Sequence, residues 1–222
     1  MSVINFLPQK KSRIAVAMSG GVDSECMALA FLEAGIPFKV AIARYGPNQL
    51  NLHDIQSAFD FCNTHSLQTY VFDIDLDVFF NSEKHLECAK RFQCRSPQLA
   101  VHIELLSLVD KKGLGVPILS GNPVEVEFDR FIEARRILLP GEPHLSYLRY
   151  FEVEKKPGVP FFFLYTPELV YSFWNTPQFL IDLYVANAWA SRTAMQEKYF
   201  SKVQKFREGG FEQVIEKQHL VL

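Results

Sequence analysis

Six consecutive residues, Ser19-Gly20-Gly21-Val22-Asp23-Ser24, bring together the groups that hold a phosphate chain. Two glycines let the backbone take angles closed to other residues and let an anion approach the main chain. A helix is predicted to begin near Ser24, and its opening amides, backed by the helix dipole, favour an anion over the turn. Ser19 and Ser24 add hydroxyl donors. Asp23 is the discordant member. A carboxylate beside a phosphate repels it unless a cation intervenes, and magnesium is commonly held by one or two carboxylates plus phosphate oxygens. Asp23 therefore points to a magnesium–nucleotide complex rather than a bare anion; the plain alternative is a Gly-Gly turn in which Asp23 only helps to cap the helix. The turn is not a Walker A loop, since no Gly-Lys followed by Ser or Thr stands at the required spacing, and it is not the dinucleotide pattern G-x-G-x-x-G.

The elements that must position this turn are legible around it. Residues 14–18 (IAVAM) form a short apolar run that reads as a fully buried parallel strand ending at the glycine pair. From Ser24 to Ala34 apolar residues recur at helical spacing, with Gly35 as a stop signal and Pro37 just beyond. Residues 38–43 predict a second strand, and Asn51 is placed to cap a helix running to about His65. Residues 68–74 predict a third strand, one or two helices are expected between Glu83 and Lys112, and residues 116–120 predict a fourth strand. This alternation predicts an α/β fold, an open parallel sheet with helices on both faces, in which ligands sit beyond the carboxyl ends of the strands. The glycine turn lies at one such end and Ser120-Gly121-Asn122 at another. The last third is aromatic and irregular, with six of the twelve prolines between Pro140 and Pro177, and a closing helix is expected from about Pro177 into the Arg207 region. We read a core over residues 1–140 and a C-terminal helical extension over 141–222 packed on it as a single unit.

The stretch A-V-A-M-S-G-G-V-D-S, residues 15–24, resembles the PP-loop of the ATP pyrophosphatase superfamily, to which asparagine synthetase, GMP synthetase and tRNA thiolation enzymes belong. The resemblance covers roughly residues 13–125 and implies the same open parallel sheet. It implies ATP and Mg2+ as cofactors and cleavage between the α and β phosphates. A substrate carboxylate, amide or carbonyl oxygen attacks the α-phosphate, and ammonia or another nucleophile then displaces AMP. By that resemblance Ser19, Gly20, Gly21, Val22, Asp23 and Ser24 hold the pyrophosphate end, Ala43, Arg44 and Tyr45 fall where the superfamily binds adenine, and Gly121 and Asn122 fall near the α-phosphate. Many members carry an Asp shortly after that second turn; Val124-Glu125 stands here instead, so Glu125 is the candidate second magnesium ligand beside Asp23. A basic residue late in the chain neutralises pyrophosphate in several members, a role for which Lys155 or Lys156 is the candidate.

Cys94-Arg95-Ser96-Pro97 reads as a helix start with Ser96 as cap and Pro97 in the first turn. Cys94 then lies near a helix N-terminus and beside Arg95, features that lower a thiol pKa, so a nucleophilic or sulfur-carrying cysteine with Cys88 as partner is one reading and a buried structural thiol the other. Arg95 is a candidate for substrate or phosphate contact. Net charge −2 and a pI near 6.3 argue against nucleic acid as a partner. Four cysteines without C-x-x-C spacing give no zinc motif and suggest a reducing compartment. No apolar run suits a signal peptide or a membrane span, so a cytoplasmic protein is expected. The leading expectation is an adenylating ligase acting on a small-molecule acceptor with ammonia or a sulfur donor as co-substrate. The alternatives are a tRNA-thiolation-type enzyme, a PAPS-reductase relative and a non-catalytic nucleotide-binding module. The aromatic C-terminal third is compatible with a homodimer.

Overall fold

The computed structural model describes residues 14–46, 48–94, 96–120, 125–129, 134–138, 145–164, 166–168 and 171. Strand β1 (Ile14–Ala17) is followed by helix α1 (Val22–Glu33), β2 (Lys39–Gly46), α2 (Leu52–Thr64) and β3 (Thr69–Asp75). Then come α3 (Leu76–Asn81), α4 (Lys84–Phe92), α5 (Pro97–Lys112) and β4 (Val116–Ile118). Two further strands, β5 (Glu125–Asp129) and β6 (Ala134–Leu138), precede α6 (Leu145–Val153).

The main sheet is parallel throughout, in the order β3-β2-β1-β4. The chain steps outward from β1 to β2 to β3 and then crosses back to the far side of β1. The order reverses between β1 and β4, and this is where open α/β sheets bind ligands. Side chains alternate across the sheet as the period of two requires. Ile14, Val16, Val40, Ile42 and Ile118 join Met27, Phe31, Ile55 and Phe61 of α1 and α2 in one apolar cluster. Ala15, Ala41, Ala43 and Tyr45 join α3 to α6 in the other. The small alanines on that second face leave room for α5, whose Ala100, Val101 and Leu106 are buried. Side chains as large as Phe61 and Ile42 are fully buried, each contributing about 1.5–3 kcal/mol.

Helix ends follow the residues that announce them. Gly35 takes φ +65° just past the end of α1, and Gly113 takes φ +63° at the end of α5. Ser96 accepts a hydrogen bond from the Leu99 amide at 3.3 Å with Pro97 in the first turn. Asp75, the last residue of β3, turns its carboxylate onto the Val78 amide at 3.0 Å and so starts α3 directly from the strand. The region from Glu83 to Lys112, expected to hold one or two helices, holds two, α4 and α5, with the short α3 just before it. The breaks are made by Glu83 (φ +58°) and Gln93 (φ +54°), left-handed residues whose types do not advertise a turn. The antiparallel pair β5–β6 is a hairpin that the sequence pattern did not predict.

The C-terminal third returns to the sheet. Val159 forms a parallel bridge with Ile118; the Val159 amide donates to Pro117 O at 2.9 Å, and the Leu119 amide donates to Val159 O at 2.9 Å. Helix α6 packs on α4 and α5 through Tyr150, whose ring meets Phe92 and whose hydroxyl donates to Asp110 at 2.9 Å. The helix expected from Pro177 lies outside the described residues. Among the described residues no helix is long and apolar enough to cross a membrane.

Candidate functional site

β1 leaves the sheet after the Met18 amide has donated to Ala41 O at 2.9 Å, and the chain then turns through Ser19, Gly20 and Gly21 into α1. Gly20 sits at φ +85°. A Cβ there would lie 2.1 Å from the carbonyl oxygen of Asp54, so only glycine fits for both conformational and steric reasons. Gly21 has an ordinary φ of −79°. Contrary to the expectation that both glycines need special angles, its contribution is the missing side chain: it is the N-cap of α1 and makes no side-chain cap bond. The opening amides of an α-helix have no intrahelical acceptors and favour an anion.

The two serines brace this turn from inside. Ser19 Oγ accepts from the Gly21 amide at 3.2 Å, and Ser24 Oγ donates to Gly21 O at 2.9 Å. The two hydroxyls lie 3.4 Å apart. Ser24 is buried, whereas Ser19 is exposed at the mouth of the turn. Asp23 is half-buried in the first turn of α1, and Glu25 behind it is fully buried. Burial, then Asp23, then Glu25 push the Cys26 thiol up to about 11. Among the described residues no group of three or more His, Cys, Asp or Glu stands ready for a metal. Magnesium takes few protein carboxylates and completes its shell with phosphate oxygens and water. Asp23 is the described residue that would hold it. Of Val22 and Glu125 only the backbone is described: Val22 opens α1 and Glu125 opens β5 opposite Leu138.

β2 runs on past the last β1 pair, Ala17↔Ala41, so Ala43, Arg44 and Tyr45 stand at the level of the glycine turn. Arg44 forks onto Asp73 of β3 through Nε at 2.5 Å and Nη2 at 2.9 Å, and this hydrogen-bonded pairing holds the Asp73 carboxyl below its usual range. Ala43 and Tyr45 are buried. The main-chain groups they would have offered to a longer β1 are satisfied from the loop that follows. Asn51 Nδ2 donates to Ala43 O at 3.0 Å, the Tyr45 amide donates to Asn51 Oδ1 at 2.8 Å, and the Leu50 amide donates to Tyr45 O at 2.8 Å. Asn51, expected to cap α2 with its side chain, is the N-cap residue by position but its side chain makes no cap bond.

Geometry decides between the two readings of Cys94. Cys94 is buried, and desolvation outweighs a hydrogen bond from Ser146, so its thiol is pushed up rather than down. Burial pushes the neighbouring Cys88 up to about 12. Both are core thiols. Lys155 follows α6 in a left-handed turn at φ +52°. Val159 is level with Ile118, which pairs with Val16, and the strands are parallel. The chain before Val159 therefore lies toward the amino edge of the sheet, and the chain after Val16 toward the carboxyl edge. Arg95, Gly121 and Asn122 lie outside the described residues. Sequence reasoning missed the Asp54 carbonyl packed on Gly20, the bridging Asn51 and the buried Glu25. A Gly-Gly turn hints that something packs closely, but nothing local names the partner.

No protein-family model and no curated protein sequence matches the chain. Solved structures do. A predicted subunit of tRNA methyltransferase from Methanocaldococcus jannaschii is 14% identical, with a TM-score of 0.42 over 73% of each chain. NMN synthetase from Francisella tularensis is 14% identical, with a TM-score of 0.39 over 94% of this chain and 91% of that one. The U34-tRNA thiolase NcsA from Methanococcus maripaludis, with its 4Fe-4S cluster, is 14% identical, with a TM-score of 0.40 over 93% of this chain and 72% of that one.

Proposed function

We propose that this chain is an ATP-consuming enzyme of the PP-loop type, which binds the triphosphate tail at the Ser19–Ser24 turn and splits ATP into AMP and pyrophosphate to activate a small-molecule acceptor. The observation that carries the reading is the glycine turn itself. It lies beyond the carboxyl end of β1 at the point where strand order reverses, with Gly20 locked at φ +85° against Asp54 and an uncapped helix start behind it. The amides of α1 hold the pyrophosphate oxygens, Ser19 adds a hydroxyl at the mouth, and Ser24 keeps the turn closed from within. Bound magnesium, held by Asp23 with Glu125 as second candidate, supplies charge neutralisation on the phosphates. Gly121 and Asn122, with Arg95 from the neighbouring helix start, are proposed to face the α-phosphate and the acceptor. The acceptor is a carboxylate, amide or carbonyl oxygen, and ammonia or another nucleophile completes the exchange. Burial of Cys94 gives no support to sulfur transfer through that thiol.

The test is incubation with magnesium and α-labelled ATP, with and without candidate acceptors. Labelled AMP is expected; labelled ADP in its place rules out adenylation.

A further inference from the structure

The bridge made by Asn51 has the chemistry of a nucleotide base. Past the end of β1, the free edge of β2 offers an acceptor and a donor side by side, Ala43 O and the Tyr45 amide. Asn51 fills both with one carboxamide, Nδ2 to Ala43 O at 3.0 Å and Oδ1 from the Tyr45 amide at 2.8 Å. The polarity of the two partners fixes which way the amide points. The side chain is buried, so the contact is desolvated. Adenine carries the same adjacent pair on its Watson–Crick edge, a donating N6 and an accepting N1. Guanine carries an acceptor and a donor in the reverse order. A bare β2 edge at this position would therefore select adenine, and here that reader is already occupied.

We propose that Asn51 is a specificity-determining residue, an internal stand-in for adenine that keeps the Ala43–Tyr45 main chain from reading the base. The inference rests on the nucleotide reading of the glycine turn and sharpens it: the triphosphate and its magnesium supply the affinity, and the base adds little discrimination. The register supports this placement, since Ala43 and Tyr45 lie two and four residues beyond the Ala17↔Ala41 pair, level with the turn. The same segment also touches the phosphate end. Asn51 O accepts from the Asp54 amide at 3.0 Å, and Asp54 O is the atom that Gly20 packs against. A test must therefore separate base selectivity from phosphate grip.

Affinities of the full chain for MgATP, MgGTP and magnesium tripolyphosphate, measured calorimetrically for the wild type and Asn51→Ala, make that separation. The wild type is expected to bind ATP and GTP within about threefold of each other. Freeing two main-chain hydrogen-bonding groups is expected to raise the preference of Asn51→Ala for ATP by about tenfold, with tripolyphosphate affinity unchanged within about twofold. A wild type that already prefers ATP by tenfold or more overturns the proposal, as does a folded Asn51→Ala with the wild-type ATP:GTP ratio. Should Asn51→Ala fail to fold, Asn51→Ser, which is too short to bridge both groups, is held to the same expectation. Binding of tripolyphosphate with strong selection of ATP sinks the Asn51 proposal alone. Binding of neither nucleotide nor tripolyphosphate sinks the reading of the turn and this proposal with it.

Discussion

Two helix starts, those of α1 and α5, are finished in opposite ways. α1 starts at Gly21, which has no side chain to turn back on the helix and makes no side-chain cap bond. α5 starts at Ser96, whose hydroxyl takes the Leu99 amide, and at Pro97, which has no amide to offer. The dipole is the same at both ends. What differs is whether a side chain closes the helix start. The same division runs along the carboxyl edge of the sheet. Arg44 is spent on Asp73, and the main chain of Ala43 and Tyr45 is spent on Asn51, while the start of α1 carries no side-chain cap. A ligand site at this edge is found by asking which groups are left over, and residue type alone does not answer that.

The sharpest way to break the contrast is Gly20→Ala. The new Cβ meets a main-chain carbonyl at 2.1 Å and a left-handed φ, so either α2 or the turn must move. Loss of about 3 kcal/mol or more in a denaturant titration is expected, together with loss of MgATP binding. Wild-type stability would show that the turn and α2 are not in contact. Next in size, Asp23→Asn is expected to leave the melting temperature within a few degrees and to lower AMP formation by about a hundredfold, in line with losing one charged group that organises the reacting phosphates. Unchanged turnover would remove Asp23 from the magnesium site. Ser96→Ala probes the closed helix start. A loss of about 1 kcal/mol in stability with no change in MgATP affinity is expected. A change in affinity would mean that α5 also faces ligand. Cys94→Ser should keep AMP formation within about twofold, and the native thiol should react with iodoacetamide at pH 8 more than about tenfold slower than in the unfolded chain.

The strand–turn–helix unit was readable because its cues are local: an apolar run, a glycine pair, an acid and a helical repeat fall within twenty residues. The four parallel strands and the apolar positions of α1 and α2 followed from periodicity for the same reason. What escaped depends on groups distant in sequence or on backbone states that the residue type hides. Glu83 and Gln93 break helices while looking like ordinary helix residues. Asn51 sits where a cap belongs, and only the projecting end of β2, six to eight residues earlier, draws its amide away. Cys94 carries the local features of an activated thiol, but α6 delivers Ser146 and an apolar wall that bury it.

Arg44 gives the finest test of the division between spent and open groups. Its guanidinium is solvent-accessible, so its pairing with Asp73 adds little to stability, but it leaves a readable mark on the acid. The folded Asp73 pKa is depressed, so the small stabilisation from the pair is present above the unfolded value near 4 and is lost as pH falls through the folded value. Carboxyl NMR should show Asp73 titrating below the usual range, and Arg44→Ala should return it toward that range. Repeating the titration with saturating MgATP then decides what Arg44 is for. If the pair is closed on itself, the Asp73 midpoint stays where it was. If Arg44 instead swings to the nucleotide, Asp73 loses its partner and its midpoint rises, and Arg44 would have to be moved from the spent groups to the open ones beside the glycine turn.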